Sequence, residues 1–116
     1  MKLYGIPNCN SVKKARAWLA AHGIEVDFHD FKKNGVSAAL LLPWLEQAGR
    51  DKLINRQGTT WRQLPDAVKA GIDSDEAALA LMLEKPSVIK RPLLELDGKL
   101  YLGFDEALYQ SLFGVA

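Results

Sequence analysis

The sequence has one cysteine, Cys9, so no disulfide can form within the chain. At 116 residues it needs none, because a single domain of this length buries enough apolar surface to fold without staples. Histidine is nearly as scarce, with only His22 and His29, both read as surface residues. Structural zinc takes about four Cys or His ligands at short spacings, so Cys9, His22 and His29 are too few and too scattered, and no metal is expected. Charge of one sign is also missing. Fifteen Lys and Arg against fourteen Asp and Glu leave a net +1, which supplies no long-range field for nucleic acid or an anionic membrane. No run approaches the roughly 18 apolar residues of a membrane span. The opening Met1-Lys2-Leu3-Tyr4-Gly5-Ile6 is too short an apolar stretch for a signal peptide. These absences point to a cytoplasmic protein that binds neither nucleic acid nor membrane. No exposed apolar seam stands out, so a monomer is expected.

What is present is a clear order of elements. Residues 2–6 read as a short buried strand and Pro7-Asn8-Cys9-Asn10 as a turn, with Asn8 or Asn10 placed to cap the following helix. That helix runs to about His22 on an apolar stripe of Val12, Ala15 and Leu19, and Gly23 stops it. Ile24, Val26 and Phe28 alternate with Glu25, Asp27 and His29, the period of a half-exposed strand. The first thirty residues are thus a β-α-β unit with parallel strands and a right-handed crossover.

Residues 37 to 85 give no strand signal. Ser37–Ala48 reads as a helix with Pro43 near a bend or boundary, and 51–57 as a turn and loop. Thr59 or Thr60 is placed to cap a segment over Trp61–Leu64. Pro65–Ala70 suits a short helix, and Ser74 precedes a stronger one through Leu83. Ser87–Lys90 reads as a short return to β structure. Leu93–Leu96 and Lys99–Leu102 flank Asp97-Gly98, a hairpin signature. Asp105 then caps a last helix, with Phe104 and Tyr109 as a staple across the cap and Phe104, Leu108 and Leu112 as its buried edge. The order β-α-β, helices, β-β-α predicts one α/β domain: a thioredoxin-like mixed sheet with an all-helical insert over about 35–86.

Cys9 carries the chemistry. It lies between the first strand and the first helix, where free backbone N–H groups and the positive end of the helix dipole favour a thiolate. A lone cysteine is more often a small buried hydrophobe, but Pro7, Asn8, Asn10 and Ser11 make a polar turn around this one. Asn8, Asn10 and Ser11 are therefore candidates for touching the substrate. Lys13, four residues on, adds to an anion-attracting field, while Lys14 and Arg16 read as a solvated face. Arg91-Pro92 opens the hairpin. In a thioredoxin-like fold this proline stands beside the cysteine in the cis form, and Arg91 projects toward the thiolate. An arginine before a strand-opening proline is equally an ordinary surface feature. In the insert, Arg56 and Arg62 are candidates for holding a carboxylate or phosphate, and Trp61 reads as a core anchor.

Pro7-Asn8-Cys9-Asn10-Ser11 after a first strand, Gly58-Thr59-Thr60-Trp61-Arg62 in a helical insert, and Lys90-Arg91-Pro92-Leu93-Leu94 before a hairpin together resemble the arsenate-reductase-like (ArsC/Spx) family, nearest to its YffB branch of glutathione-dependent thiol reductases. The resemblance covers essentially the whole chain. It implies a thioredoxin-like fold with a helical insert, a nucleophilic cysteine at Cys9 and an oxyanion-binding arginine at Arg91. Arsenate reductases use two further arginines, whose positions here are Asn55 and Gly103, which argues against arsenate. Spx-type regulators, which contact RNA polymerase, carry a CxxC switch; its second position is Val12 here. The expected activity is a thiol oxidoreductase with no bound cofactor. Because the chain has no resolving cysteine, an external thiol must complete the cycle; glutathione is the expected co-substrate. The alternatives are a Spx-like regulator without turnover and an arsenate reductase.

Overall fold

The computed structural model describes residues 1–115, which form two units: Met1–Lys33 with the chain from Arg91 onward, and Asn34–Lys90.

The first unit carries a four-stranded sheet in the order β2-β1-β3-β4, from β1 (Lys2–Gly5), β2 (Asp27–Asp30), β3 (Leu93–Leu96) and β4 (Lys99–Leu102). β1 pairs parallel with β2 and antiparallel with β3, and β3 pairs antiparallel with β4. This is the mixed thioredoxin-like sheet expected. In the hairpin, Asp97 (φ 51°) and Gly98 (φ 78°) both take positive φ, the signature of a two-residue type I′ turn.

Helix α1 (Asn10–Ala21) buries Val12, Ala15, Trp18 and Leu19. Its end is a Schellman motif: Gly23 at φ 67° donates to the Ala20 carbonyl at 3.1 Å, and Ile24 donates to the Leu19 carbonyl at 2.9 Å. That second bond corrects the sequence reading of β2. The Ile24 N–H belongs to the helix cap, so the strand begins at Asp27 rather than Ile24. His29, read as a surface residue, is half-buried, its ring centroid 5.1 Å from Tyr4 and 5.9 Å from Phe31. The chain then makes one unforeseen helical turn, α2 (Phe31–Asn34).

The last helix, α8 (Glu106–Phe113), is capped by Asp105, whose Oδ1 accepts from the Ala107 amide at 3.0 Å. The staple forms: the Phe104 and Tyr109 rings meet edge to face at 4.8 Å. The buried edge differs from expectation, because Tyr109 is fully buried and Phe104, Leu108 and Leu112 are only partly so. The physical reason is that Tyr109 also meets Trp18 edge-on at 5.5 Å, joining α8 to α1 over Leu3 and Leu94 of the sheet.

The second unit is helical. α3 (Ala38–Ala48) is capped by Ser37, whose hydroxyl accepts from the Leu40 amide at 3.2 Å. Pro43 lies inside α3, not at a boundary. Proline removes the bond to the carbonyl four residues back, that of Ala39, and both residues are exposed, so water can serve that carbonyl. α4 (Arg50–Leu53) occupies part of the expected loop, and the Arg50 guanidinium donates to Asp75 and to the Asp73 carbonyl, each at 3.1 Å. α5 (Thr59–Arg62) has Gly58, not either threonine, at its N-cap; Thr60 instead shares a 2.8 Å hydroxyl–hydroxyl bond with Ser87. α6 (Asp66–Ala70) follows Pro65, and α7 (Asp75–Glu84) is capped by Ser74. In place of a short strand at 87–90, Pro86 opens a 3₁₀ turn over Pro86–Val88. β structure there is reduced to an antiparallel bridge between Ile54 and Ile89. Among the described residues no helix is long and apolar enough to cross a membrane.

Asp105→Ala is expected to cost about 1 kcal/mol, the usual value of a lost N-cap, and Tyr109→Ala about 3–5 kcal/mol, as for a large buried aromatic. Urea unfolding of both variants checks this; equal losses would contradict the separation of cap from core.

Candidate active site

The residues from β1 to α1 fold into a tight turn. The Cys9 amide donates to the Ile6 carbonyl at 3.1 Å, closing the four residues Ile6-Pro7-Asn8-Cys9. Proline at the second position presets its φ, and Asn8 has no positive φ, so the turn belongs to type I rather than type II. Cys9 then takes the N-cap position of α1 in an extended conformation (φ −89°, ψ 130°), and its carbonyl accepts from the Lys13 amide at 2.9 Å. The asparagines therefore do not cap. Asn8 sits in the turn and Asn10 is already the first helical residue. A side chain at the N-cap faces the amides of the second and third helical residues, here Ser11 and Val12. The neutral thiol makes no capping bond, but it stands where an anion would be held.

Cys9 is half-buried. Burial alone pushes its thiol up. The Val12 amide, a hydrogen bond from Arg91, the Ser11 amide and the positive charge of Arg91 together outweigh it, so the thiol ionises below its ordinary value. The sheet explains how Arg91 arrives there. β3 runs antiparallel to β1, with Leu93 opposite Tyr4, so the residues just before β3 lie at the end of β1 from which Cys9 departs. The Arg91–Pro92 bond is cis, as the sequence led us to expect; Pro92 is buried, and its carbonyl accepts from the Gly103 amide at 2.8 Å.

The other candidates divide between the units. Asn8, Asn10, Ser11 and Lys13 are exposed around the turn and first turns of α1. Arg56 and Arg62 belong to the second unit. There the Arg56 guanidinium donates to Asp51 at 2.8 Å and lies 5.1 Å from the ring centroid of Trp61, which is buried. Arg62 is exposed, and its carbonyl accepts from the Lys69 ammonium at 3.1 Å. One contributor escaped the sequence reading. The sequence reads Val12 as part of an apolar stripe and as the position where a CxxC switch would have its second cysteine, yet its amide acts on the sulfur. The signal was available, since whatever residue stands third after an N-cap presents its N–H to the cap.

The ArsC family model matches residues 4–112. The solved structure of a YffB protein superposes with a TM-score of 0.86 at 45% identity, covering 94% of this chain and 95% of its own. An uncharacterized protein of Haemophilus influenzae is 44% identical over 111 residues, 96% of each chain. The global transcriptional regulator Spx of Streptococcus agalactiae is 27% identical over 106 residues, 90% of this chain and 76% of its own. A nucleophile-like cysteine at the first helix, an arginine before the hairpin and a match over almost the full length agree: this chain belongs to the ArsC family.

Proposed function

We propose that this protein is a thiol oxidoreductase that works through Cys9 with an external thiol, glutathione, as reductant in the cytoplasm. The observation that carries the reading is the convergence of two amides and the Arg91 guanidinium on one half-buried sulfur. An unperturbed cysteine, with a pKa of about 8.5, is only a few per cent thiolate at neutral pH. Groups that stabilise the anion raise that fraction.

In the proposed cycle the Cys9 thiolate attacks one sulfur of a substrate disulfide. The old S–S bond breaks, a mixed disulfide forms on Cys9, and the other substrate sulfur leaves as a thiolate. An external thiolate then attacks the substrate-derived sulfur of the mixed disulfide. That forms a disulfide between the external thiol and this half of the substrate and returns Cys9 as a thiolate. A second external thiolate attacks the external thiol's sulfur in that disulfide and releases the substrate half as a thiolate, so two external thiols are oxidised to one disulfide and the substrate is reduced to two thiols. Both thiols must come from outside because Cys9 is the sole cysteine. Asn8, Asn10, Ser11 and Lys13 frame the approach, Pro92 fixes the chain beside it, and Arg91 holds anionic groups of the incoming compound. Arg56 and Arg62 are proposed as anion contacts within the second unit.

The likeness to Spx favours a second reading, a regulator acting by protein contact. Val12 stands where a second switch cysteine would be needed, which weighs against it. Pull-down with RNA polymerase subunits separates the two, since binding without thiol turnover would support the regulator. Asn55 and Gly103 weigh against arsenate in the same way, and arsenate-dependent oxidation of glutathione at a robust rate would overturn that.

Incubation of the native protein with oxidised glutathione is expected to give one glutathione adduct by intact mass, placed on Cys9 by peptide mapping and absent in Cys9→Ser. Modification only after denaturation would refute the reading. Removing the guanidinium withdraws a stabilising charge from the thiolate, so Arg91→Ala is expected to raise the Cys9 pKa by about one unit. Arg91→Lys should restore much of the pKa but less of the affinity for an anionic substrate, because lysine lacks the planar fork. The pH dependence of Cys9 alkylation measures both; superimposable profiles for wild type and Arg91→Ala would remove Arg91 from the site.

A further inference from the structure

Gly5 ends β1, paired with Asp30 across the parallel register, and its φ is not positive. Conformational freedom therefore does not explain a glycine at this position. Space does. A Cβ on Gly5 would stand 2.6 Å from Val12 Cγ2 and 3.4 Å from Val12 Cγ1, whereas carbon atoms in good contact lie about 3.5–4.0 Å apart. Val12 cannot swing aside easily. It is fully buried, and a β-branched side chain in a helix has one strongly preferred rotamer. The strain would pass to the backbone of the first turn of α1. That turn is tied closely to the strand, through the Cys9 amide on the Ile6 carbonyl at 3.1 Å and the Lys13 amide on the Cys9 carbonyl at 2.9 Å.

We propose that Gly5 is a positioning residue for Cys9: its missing side chain lets Val12 seat directly against β1, and this close approach holds the Val12 amide on the sulfur. The inference rests on the reading of Cys9 as a reactive thiolate. It adds that the thiolate's strongest amide contact is set from the strand, by a residue that never touches the sulfur. Any side chain on Gly5 pushes Val12 outward and draws its N–H away from the anion. Loss of an amide from a thiolate raises the pKa, as loss of a charge does.

The test is the rate of Cys9 alkylation against pH in wild type, Gly5→Ala and the double variant Gly5→Ala/Val12→Ala. Gly5→Ala is expected to react roughly three- to ten-fold more slowly below the apparent pKa, with rates converging at high pH, as for a pKa raised by half to one unit. The double variant is expected to recover to within about two-fold of wild type, because of the three atoms nearest the new Cβ it removes the two closest and leaves Val12 Cβ at 3.6 Å, an ordinary contact. Recovery is the readout that a general loss of stability would not give, and near-ultraviolet circular dichroism checks that each variant is folded. A folded Gly5→Ala with the wild-type profile overturns the inference and leaves the thiolate reading intact. A wild-type thiol that titrates at its ordinary value overturns both. If Gly5→Ala does not fold, the double variant decides. Folded with a wild-type profile it supports the proposal; unfolded, or folded with a raised pKa, it refutes the role assigned to the Val12 contact.

Discussion

The chemistry of this protein depends on an opposition at a single atom. Partial burial of the Cys9 sulfur disfavours charge, while the Val12 and Ser11 amides and the Arg91 guanidinium favour it, and the second group wins. None of these contributors is unusual alone. Their effect comes from convergence, and convergence is a property of the sheet. β1 delivers Cys9 at its C-terminal end, and the antiparallel neighbour β3 delivers Arg91 at its N-terminal end, so two residues 82 positions apart in sequence arrive at one edge. The Coulomb attraction between them is the smallest of these contributions; it is felt more strongly than in water because both residues are half-buried, where the surroundings screen charge less.

The rest of the first unit keeps that edge in place. Trp18, Tyr109 and Phe113 form an aromatic group joining α1 and α8, with Trp18 and Tyr109 meeting edge to face and Phe113 close to both. Beneath it Leu3, Ala15, Leu19 and Leu94 fill the space between α1 and the sheet. α1 is therefore gripped along its length by packing and at its end by the Gly23 cap. Its first turn is located by the turn from Ile6 and by Val12 against Gly5. A rigid helix presents its N-terminal amides in a fixed direction, and hydrogen bonds to the thiolate depend on that direction.

Several elements were legible in the sequence because the signal was local. Asp97-Gly98 specifies its own turn, Ser74 stands before its helix and Asp105 caps the last one, and Gly23 ends α1. The misreadings share a different cause. Ile24 has the alternation of a strand residue, but its N–H is taken by the helix before it. Ser87 has the look of a strand start, but Pro86 turns the chain into a 3₁₀ turn and Ser87 bonds Thr60. Thr59 and Thr60 are good caps by composition, yet Gly58 takes the position, and a Cβ there would stand 2.9 Å from Asn55 Nδ2. In each case a partner outside the local window decided the outcome.

The sequence by itself determined that Cys9 is the sole cysteine, that it lies between a strand and a helix, and that any disulfide cycle needs a thiol from elsewhere. Those follow from composition and short-range pattern, which do not depend on how the chain packs. The tertiary structure alone decided that Arg91 faces Cys9, that the Val12 and Ser11 amides act on the sulfur, and that a Cβ on Gly5 would stand 2.6 Å from Val12 Cγ2. Each of these is a distance between residues that only the pairing of strands and the seating of α1 bring together. Electrostatic and steric energies depend on such distances, which the order of residues along the chain does not contain.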